Sequence, residues 1–194
     1  MKIFKACCWI FLAFIIQSLT GCVSVKMPEP TPSMANLEKL RGANLVPVKT
    51  EKFILAPGKN AALDRGVSGL RGSSVTPASG SFAEQLRSEL ATELKAAGLY
   101  DESADAVIKG ELIDSQVDAA IGTGTAKLSA RFIIQRAEKV VYDKELTVNS
   151  SWESSFVGAI AIPEAINQYT ALYKKLIGKL FDDSDFKSAL AKKK

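Results

Sequence analysis

The residues that could do chemistry are few. Cys7, Cys8 and Cys22 are the only thiols, and the 194-residue chain has no histidine, so the commonest general base and the commonest transition-metal ligand are both missing. Asp101, Glu102, Asp105, Glu111, Asp114 and Asp118 are the densest run of carboxylates, and Asp114 with Asp118 would be the pair to test for acid–base work. Their spacing fits the solvated face of a strand and its flanking turns. The tighter ladder of a calcium loop, with its Gly and distal Glu, is absent. Ser184 and Lys187 match the Ser-x-x-Lys pattern of acyl-transferring enzymes, but its companion Ser-Asp-Asn and Lys-Thr-Gly motifs do not occur. Gly58-Lys59 lacks the rest of a P-loop, and Gly66-Val67-Ser68-Gly69 misses the spacing of a nucleophile elbow. The expectation is a protein that is not an enzyme, with no catalytic residue and no metal site.

Cys22 has the more telling surroundings. Lys2 and Lys5 form a short basic region, and residues 6–16 are an uninterrupted apolar run. A bilayer-spanning helix needs about 20 such residues, so this one suits the hydrophobic part of a secretory signal. Gln17, Ser18, Thr20 and Gly21 then interrupt it and supply a small-residue cleavage site; a signal anchor that stays in place is the alternative.

Leu19-Thr20-Gly21-Cys22, in this position, resembles the lipobox of bacterial lipoproteins. The resemblance implies a signal peptide over residues 1–21 and cleavage between Gly21 and Cys22. It also implies a diacylglyceryl thioether on the Cys22 sulfur and a fatty acyl group such as palmitate on the new amino terminus. One acyl chain holds a protein only marginally to a membrane, whereas two or more anchor it stably. Val23, Ser24 and Val25 follow, without the Asp that marks inner-membrane retention in such proteins, which points to the outer membrane and a periplasm-facing domain. The covalent lipid is the only cofactor expected.

Loss of that leader would remove Lys2 and Lys5 and no acid, taking the formal net charge from +4 to +2. A nearly balanced chain without a basic stripe and interleaved aromatics is not a nucleic-acid binder, and the basic tail over 191–194 reads as a frayed end. With Cys7 and Cys8 gone and Cys22 acylated, no disulfide is possible, and stability rests on a packed core.

Residues 22–45 carry Pro28, Pro30 and Pro32 at alternate positions and are expected to form an extended, semi-rigid tether, with a helical turn possible over 36–43. A single domain over 46–190 follows. Lys52-Phe53-Ile54-Leu55-Ala56 reads as a first strand, and residues 58–80 as a long Gly/Ser-rich loop, functional or disordered. Ser81 and Glu84 form a capping box for a helix carrying Phe82, Leu86, Leu90, Leu94 and Ala97 on one face, with Glu84, Arg87, Glu89, Glu93 and Lys95 around the rest. Three strands in a meander come next, with Ala106, Ile108, Gly110 and Leu112, then Leu128, Ala130, Phe132 and Ile134, then Val140, Tyr142, Leu146, Val148 and Trp152 on their inner faces. Pro163 is expected in the first turn of a last helix marked by Ile166, Tyr169, Tyr173, Leu176 and Leu180. The order is β-α-β-β-β-α: a two-layer α+β domain, its mainly antiparallel sheet covered on one face by two helices.

That order behind a lipobox is similar to the auxiliary lipoproteins of ABC-type transport systems and to YajG-like outer-membrane lipoproteins. The residues around Tyr142, Trp152, Phe156, Pro163 and Tyr169 also resemble uncharacterised proteobacterial lipoproteins. That resemblance implies a family and no activity. The absence of histidine and of a nucleophile constellation, together with the anchor and tether, leads to the expectation of a membrane-anchored binding or scaffolding component of a cell-envelope assembly or transport system, with an envelope protein as partner. A lipid or small-molecule carrier, using a cavity between sheet and helices, is the alternative. Phe156, Val157, Ile160 and Ile162, with Trp152 on the strand before them, are the candidate contact residues. The stretch is either a connection buried under the last helix or an exposed docking patch.

Overall fold

The computed structural model describes residues 24–192. The leader, Gly21 and Cys22 lie outside the described residues. The main sheet is built on β6 (Ala106–Asp118), β7 (Gly122–Arg136) and β8 (Lys139–Ser154), which pair antiparallel in sequence order. β2 (Val48–Thr50) and β3 (Ile54–Leu55) share the outer edge of β6 and run parallel to it. α2 (Phe82–Ala96) and α3 (Gly158–Asp182) cover one face, and a short α4 (Ser184–Leu190) follows. The mixed α+β class, the meander and the two long helices match the expectation.

The inner face of the sheet is the alternation read from the sequence. Ile108, Leu112, Leu128, Ala130, Phe132 and Ile134 are fully buried against Phe82, Leu86, Leu90, Tyr169, Tyr173 and Leu176. One extra residue, Ile113, shifts the register between Leu112 and Asp114, so that Ser115, Val117 and Ala119 continue the buried face at odd positions. A second shift, between Ile134 and Gln135, leaves Val140 on the surface although its strand spacing placed it inside. Inside the core the Tyr169 hydroxyl is bonded to Ser115 Oγ at 2.6 Å and to the Tyr173 hydroxyl at 3.2 Å, so these buried hydroxyls satisfy one another. The outer face carries ion pairs instead, among them Lys109–Glu51, Lys127–Asp114 and Arg131–Asp143. β8 is the far edge strand. Lys175 and Lys179 of α3 reach over it and donate to the carbonyls of Asn149 and Thr147, at 2.6 and 3.0 Å.

Three expectations fail for identifiable reasons. The segment expected as a tether is packed: β1 (Ser24–Lys26) pairs with β5 (Ser73–Thr76), Met27, Leu40 and Leu45 are buried, and α1 (Met34–Leu40) lies against α2 and α3. The long loop is likewise structured. β4 (Val67–Leu70) and β5 form a hairpin, preceded by a turn of 3-10 helix over Ala61–Asp64, and β1-β5-β4 make a second small sheet. Pro163, finally, lies inside α3 and not in its first turn, because the apolar residues before it already wind as helix from Gly158.

The packed N-terminus accounts for a polar stripe on α2. Gln85, Glu89 and Glu93 are spaced by four and stand on one helix face, the face on which α1 settles; all three are buried. Glu93 accepts the Ser33 N–H at 3.1 Å and the Asn36 side-chain amide at 2.9 Å, while Gln85 donates to the Pro28 carbonyl and accepts the Ala78 N–H. Asn36 also donates to the Lys174 carbonyl of α3. Gly178 makes the approach of α1 to α3 possible, since a Cβ there would lie 2.6 Å from Asn36 Oδ1 and 3.1 Å from Lys39 Nζ.

Two predictions follow from this packing. Gly178→Ala forces α1 outward and should cost about 1–2 kcal/mol net of its better helix propensity, read as a lower urea midpoint and faster proteolysis within residues 24–40. Burial lifts the Glu89 carboxyl to about 7, against the partly offsetting charge of Lys174 and the hydrogen bond from Gln85. A carboxyl raised in the fold costs stability once it ionises there, so the cost is full above pH 7 and vanishes below the unfolded value of 4.5. Glu89→Gln should therefore stabilise the protein by about 2 kcal/mol at pH 8 and leave it unchanged near pH 4.5, checked by denaturation at both pH values.

Candidate functional site

One end of the main sheet carries a cluster of apolar side chains in water. Ile121 lies in the connection from β6 to β7, Phe156 and Val157 in the one from β8 to α3, and Ile160 in the first turn of α3. Their exposures are 62%, 79%, 51% and 62%. The pairing of Gly122 with Ser154 sets the two connections side by side, and the N–H of Ile160 bonds to the Val157 carbonyl as the helix begins.

The cluster stands on a fixed base. Leu70 pairs with Ser73, leaving Arg71 and Gly72 as a two-residue hairpin loop with φ of 51° and 91°. This is the left-handed pair that a type I′ turn demands. From that position the half-buried Arg71 side chain makes four hydrogen bonds: Nε to the Ala119 carbonyl at 2.7 Å, Nη1 to the Phe156 carbonyl at 2.9 Å, and Nη2 to the Ser155 carbonyl at 2.7 Å and to Ser154 Oγ at 3.2 Å. A single guanidinium thus ties the small sheet to both connections of the large one. The Ala119 N–H returns a bond to the Gly69 carbonyl, at a point where only glycine fits, because a Cβ on Gly69 would stand 2.1 Å from the Val117 carbonyl oxygen.

The five contact residues read from the sequence separate here. Phe156, Val157 and Ile160 are exposed together. Trp152 is half-buried on the inner face of β8, its ring filling the space that a Cβ on Gly124 would need, and Ile162 is half-buried in α3. Ile121 and Arg71 complete the cluster. Ile121 stands between the small residues Ala120 and Gly122, and Arg71 is one of three basic residues in an apparent loop; neither has a periodic pattern to mark it.

The remaining candidates dissolve into structural roles. Asp114 pairs with Lys127, Glu111 with Arg131, and Asp101 closes its own turn by accepting from the N–H and hydroxyl of Ser103, bonds that hold its carboxyl below the usual range. Among the described residues no three His, Cys, Asp or Glu side chains converge as metal ligands would. Ser184 is exposed at the start of α4. A surface depression of about 940 Å³ lies at the opposite end, between the β7–β8 hairpin and α4. Its central lysine, Lys144, is held by Asp183 and Asp185, which join α4 to β8. Between sheet and helices, where a carried lipid would sit, the fully buried Phe82, Phe132, Tyr169 and Tyr173 fill the space. No helix among the described residues is long and apolar enough to cross a membrane.

No family model matches the chain, nor does any curated protein. Its fold does have a solved counterpart. It is similar to protein XCC0632 from Xanthomonas campestris, of the DUF330 family, with a TM-score of 0.54 at 14% identity over 82% of this chain and 95% of that one. A candidate lipoprotein from Caulobacter crescentus aligns over 81% of this chain and 99% of its own, at 14% identity and a TM-score of 0.45. A minor lipoprotein from Acinetobacter baumannii aligns over 75% and 96%, at 12% identity and a TM-score of 0.39. At 14% identity the likeness to XCC0632 is one of fold.

Arg71→Ala should free the two connections. We expect a loss of about 2–3 kcal/mol, because carbonyls held by a charged donor are left without it. Amide hydrogen exchange should quicken at Ile121, Phe156 and Val157 more than in β7. Arg71→Lys should recover only part of the loss, since an ammonium cannot span the four acceptors.

Proposed function

We propose that this protein is a lipoprotein of the bacterial outer membrane, acylated on Cys22, whose periplasm-facing domain works by binding as a scaffolding component of an envelope assembly or transport system. The observation that carries the reading is the placement of Leu19-Thr20-Gly21-Cys22 after a basic region and a short apolar run. The first strand, β1, starts at Ser24, two residues beyond the cysteine, so an acylated Cys22 would hold the domain close to the bilayer with almost no spacer. Among the described residues Asp114, Glu111 and Asp101 are taken up in ion pairs or in a turn. What the domain offers a partner is surface.

Cys22→Ser should leave the precursor without labelled palmitate and the domain no longer stably held in the outer-membrane fraction. Acyl labelling of that variant at the parent level would overturn the reading. Recovery of the native protein from solubilised envelopes as a partner-free monomer, with envelope function intact after deletion, would sink the scaffolding role while leaving the anchor.

A further inference from the structure

We propose that the exposed cluster of Ile121, Phe156, Val157 and Ile160 is a membrane-docking tip that inserts into the lipid surface beside the acylated amino terminus. The inference rests on the lipoprotein reading above and adds to it a second contact and an orientation for the domain.

The argument is where the chain enters the fold. β1 runs parallel to β5, with Ser24 opposite Ser74 and Lys26 opposite Thr76. β1 therefore starts at the end of β5 that follows the Arg71-Gly72 turn. Arg71 is the residue bonded to the Phe156, Ser155 and Ala119 carbonyls, so that turn sits against the base of the apolar cluster. Cys22 is two residues before Ser24 and can stand no more than about 7 Å from it. The lipid attachment point and the cluster thus share one end of the molecule. Any bilayer that holds the acyl chains meets the four apolar side chains.

The chemistry of the tip fits an apolar lipid interface better than a charged one. Phe156 is the most exposed large apolar residue among those described, and Ile160 lies one helical turn beyond it. The basic group at its base, Arg71, is spent on carbonyls. Asp118 and Glu153 stand exposed on the strand ends behind the tip. Anionic headgroups therefore gain nothing from the tip, and its attraction comes from burying apolar area in the headgroup and acyl boundary, as interfacial segments do. The Arg71 base has a further consequence. Bonds to both connections keep the apolar side chains from folding back onto the domain, so little ordering remains to be done when they enter lipid.

The test uses the full acylated protein in zwitterionic vesicles containing a brominated phosphatidylcholine. Phe156→Trp places an indole at the tip, and Val140→Trp places one at the far end of β7 and β8, where residue 140 is 54% exposed. Both sites are in water, so neither change disturbs the core, and unmodified protein gives the background from Trp152. The expected result is quenching of the tip indole about threefold stronger than that at position 140, together with a blue-shifted emission. Mass spectrometry of the same samples scores the acyl chains. An acylated protein in which the two indoles are quenched equally overturns the docking tip and leaves the lipoprotein reading standing. A protein without acyl chains on Cys22 overturns both. Shielding of the tip indole by a protein bound to it, without bromine quenching, also overturns the lipid assignment.

Discussion

A carboxylate shut away from water must find its hydrogen bonds inside the protein, and Glu93 finds them in the Ser33 N–H and the Asn36 amide. Both partners belong to the N-terminal segment. Without that segment, Gln85, Glu89 and Glu93 would stand on an open helix face and hydrate. With it they become a buried polar seam in which Glu93 and Gln85 are paired with the N-terminal segment and Glu89 Oε2 is left without a hydrogen-bond partner. Gly178 sets how closely α1 approaches, Asn36 bridges α2 to α3, and the chain is then carried back over Met27 into β1. The residues nearest the proposed lipid attachment are in this way as firmly placed as the core.

That placement changes what an anchor can mean for this domain. A proline-spaced tether would let the domain turn freely beneath a membrane. Here Pro28, Pro30 and Pro32 keep the connection between β1 and α1 extended across the surface of the domain, and β1 begins two residues after Cys22. The hairpin of β4 and β5, which the composition presents as loose, carries Arg71 at its turn and joins N-terminus, main sheet and apolar cluster in one rigid end.

Much of this was legible in the sequence where a single element decides a residue's environment. Alternation along β7 fixed its buried face, the capping box at Ser81 and Glu84 marked the start of α2, and the Ala137-Glu138 turn sits where the pattern broke. What could not be read depended on a second element coming from afar. Glu89 and Glu93 look like solvated helix residues until α1 covers them. Val140 has the right parity for the core until a one-residue register shift moves it. Gly-rich residues 58–80 give no hydrophobic period, yet Val67, Leu70 and Val75 suffice to bury a hairpin once β1 and β6 flank it. The candidate site was half visible for the same reason: Phe156, Val157 and Ile160 are contiguous, whereas Ile121 and Arg71 join them only through strand pairing.

The lysines laid over β8 acquire a meaning from the proposed setting. A sixteen-residue edge strand is a template on which another chain can pair, and the hazard grows with local concentration. Molecules confined to a plane, and facing the same way, meet far more often than the same number free in solution. Lys175 and Lys179, bonded to the Asn149 and Thr147 carbonyls, present charge and occupied acceptors to any neighbour that slides alongside. Crowding on a surface would then bring copies together without zipping them into a sheet.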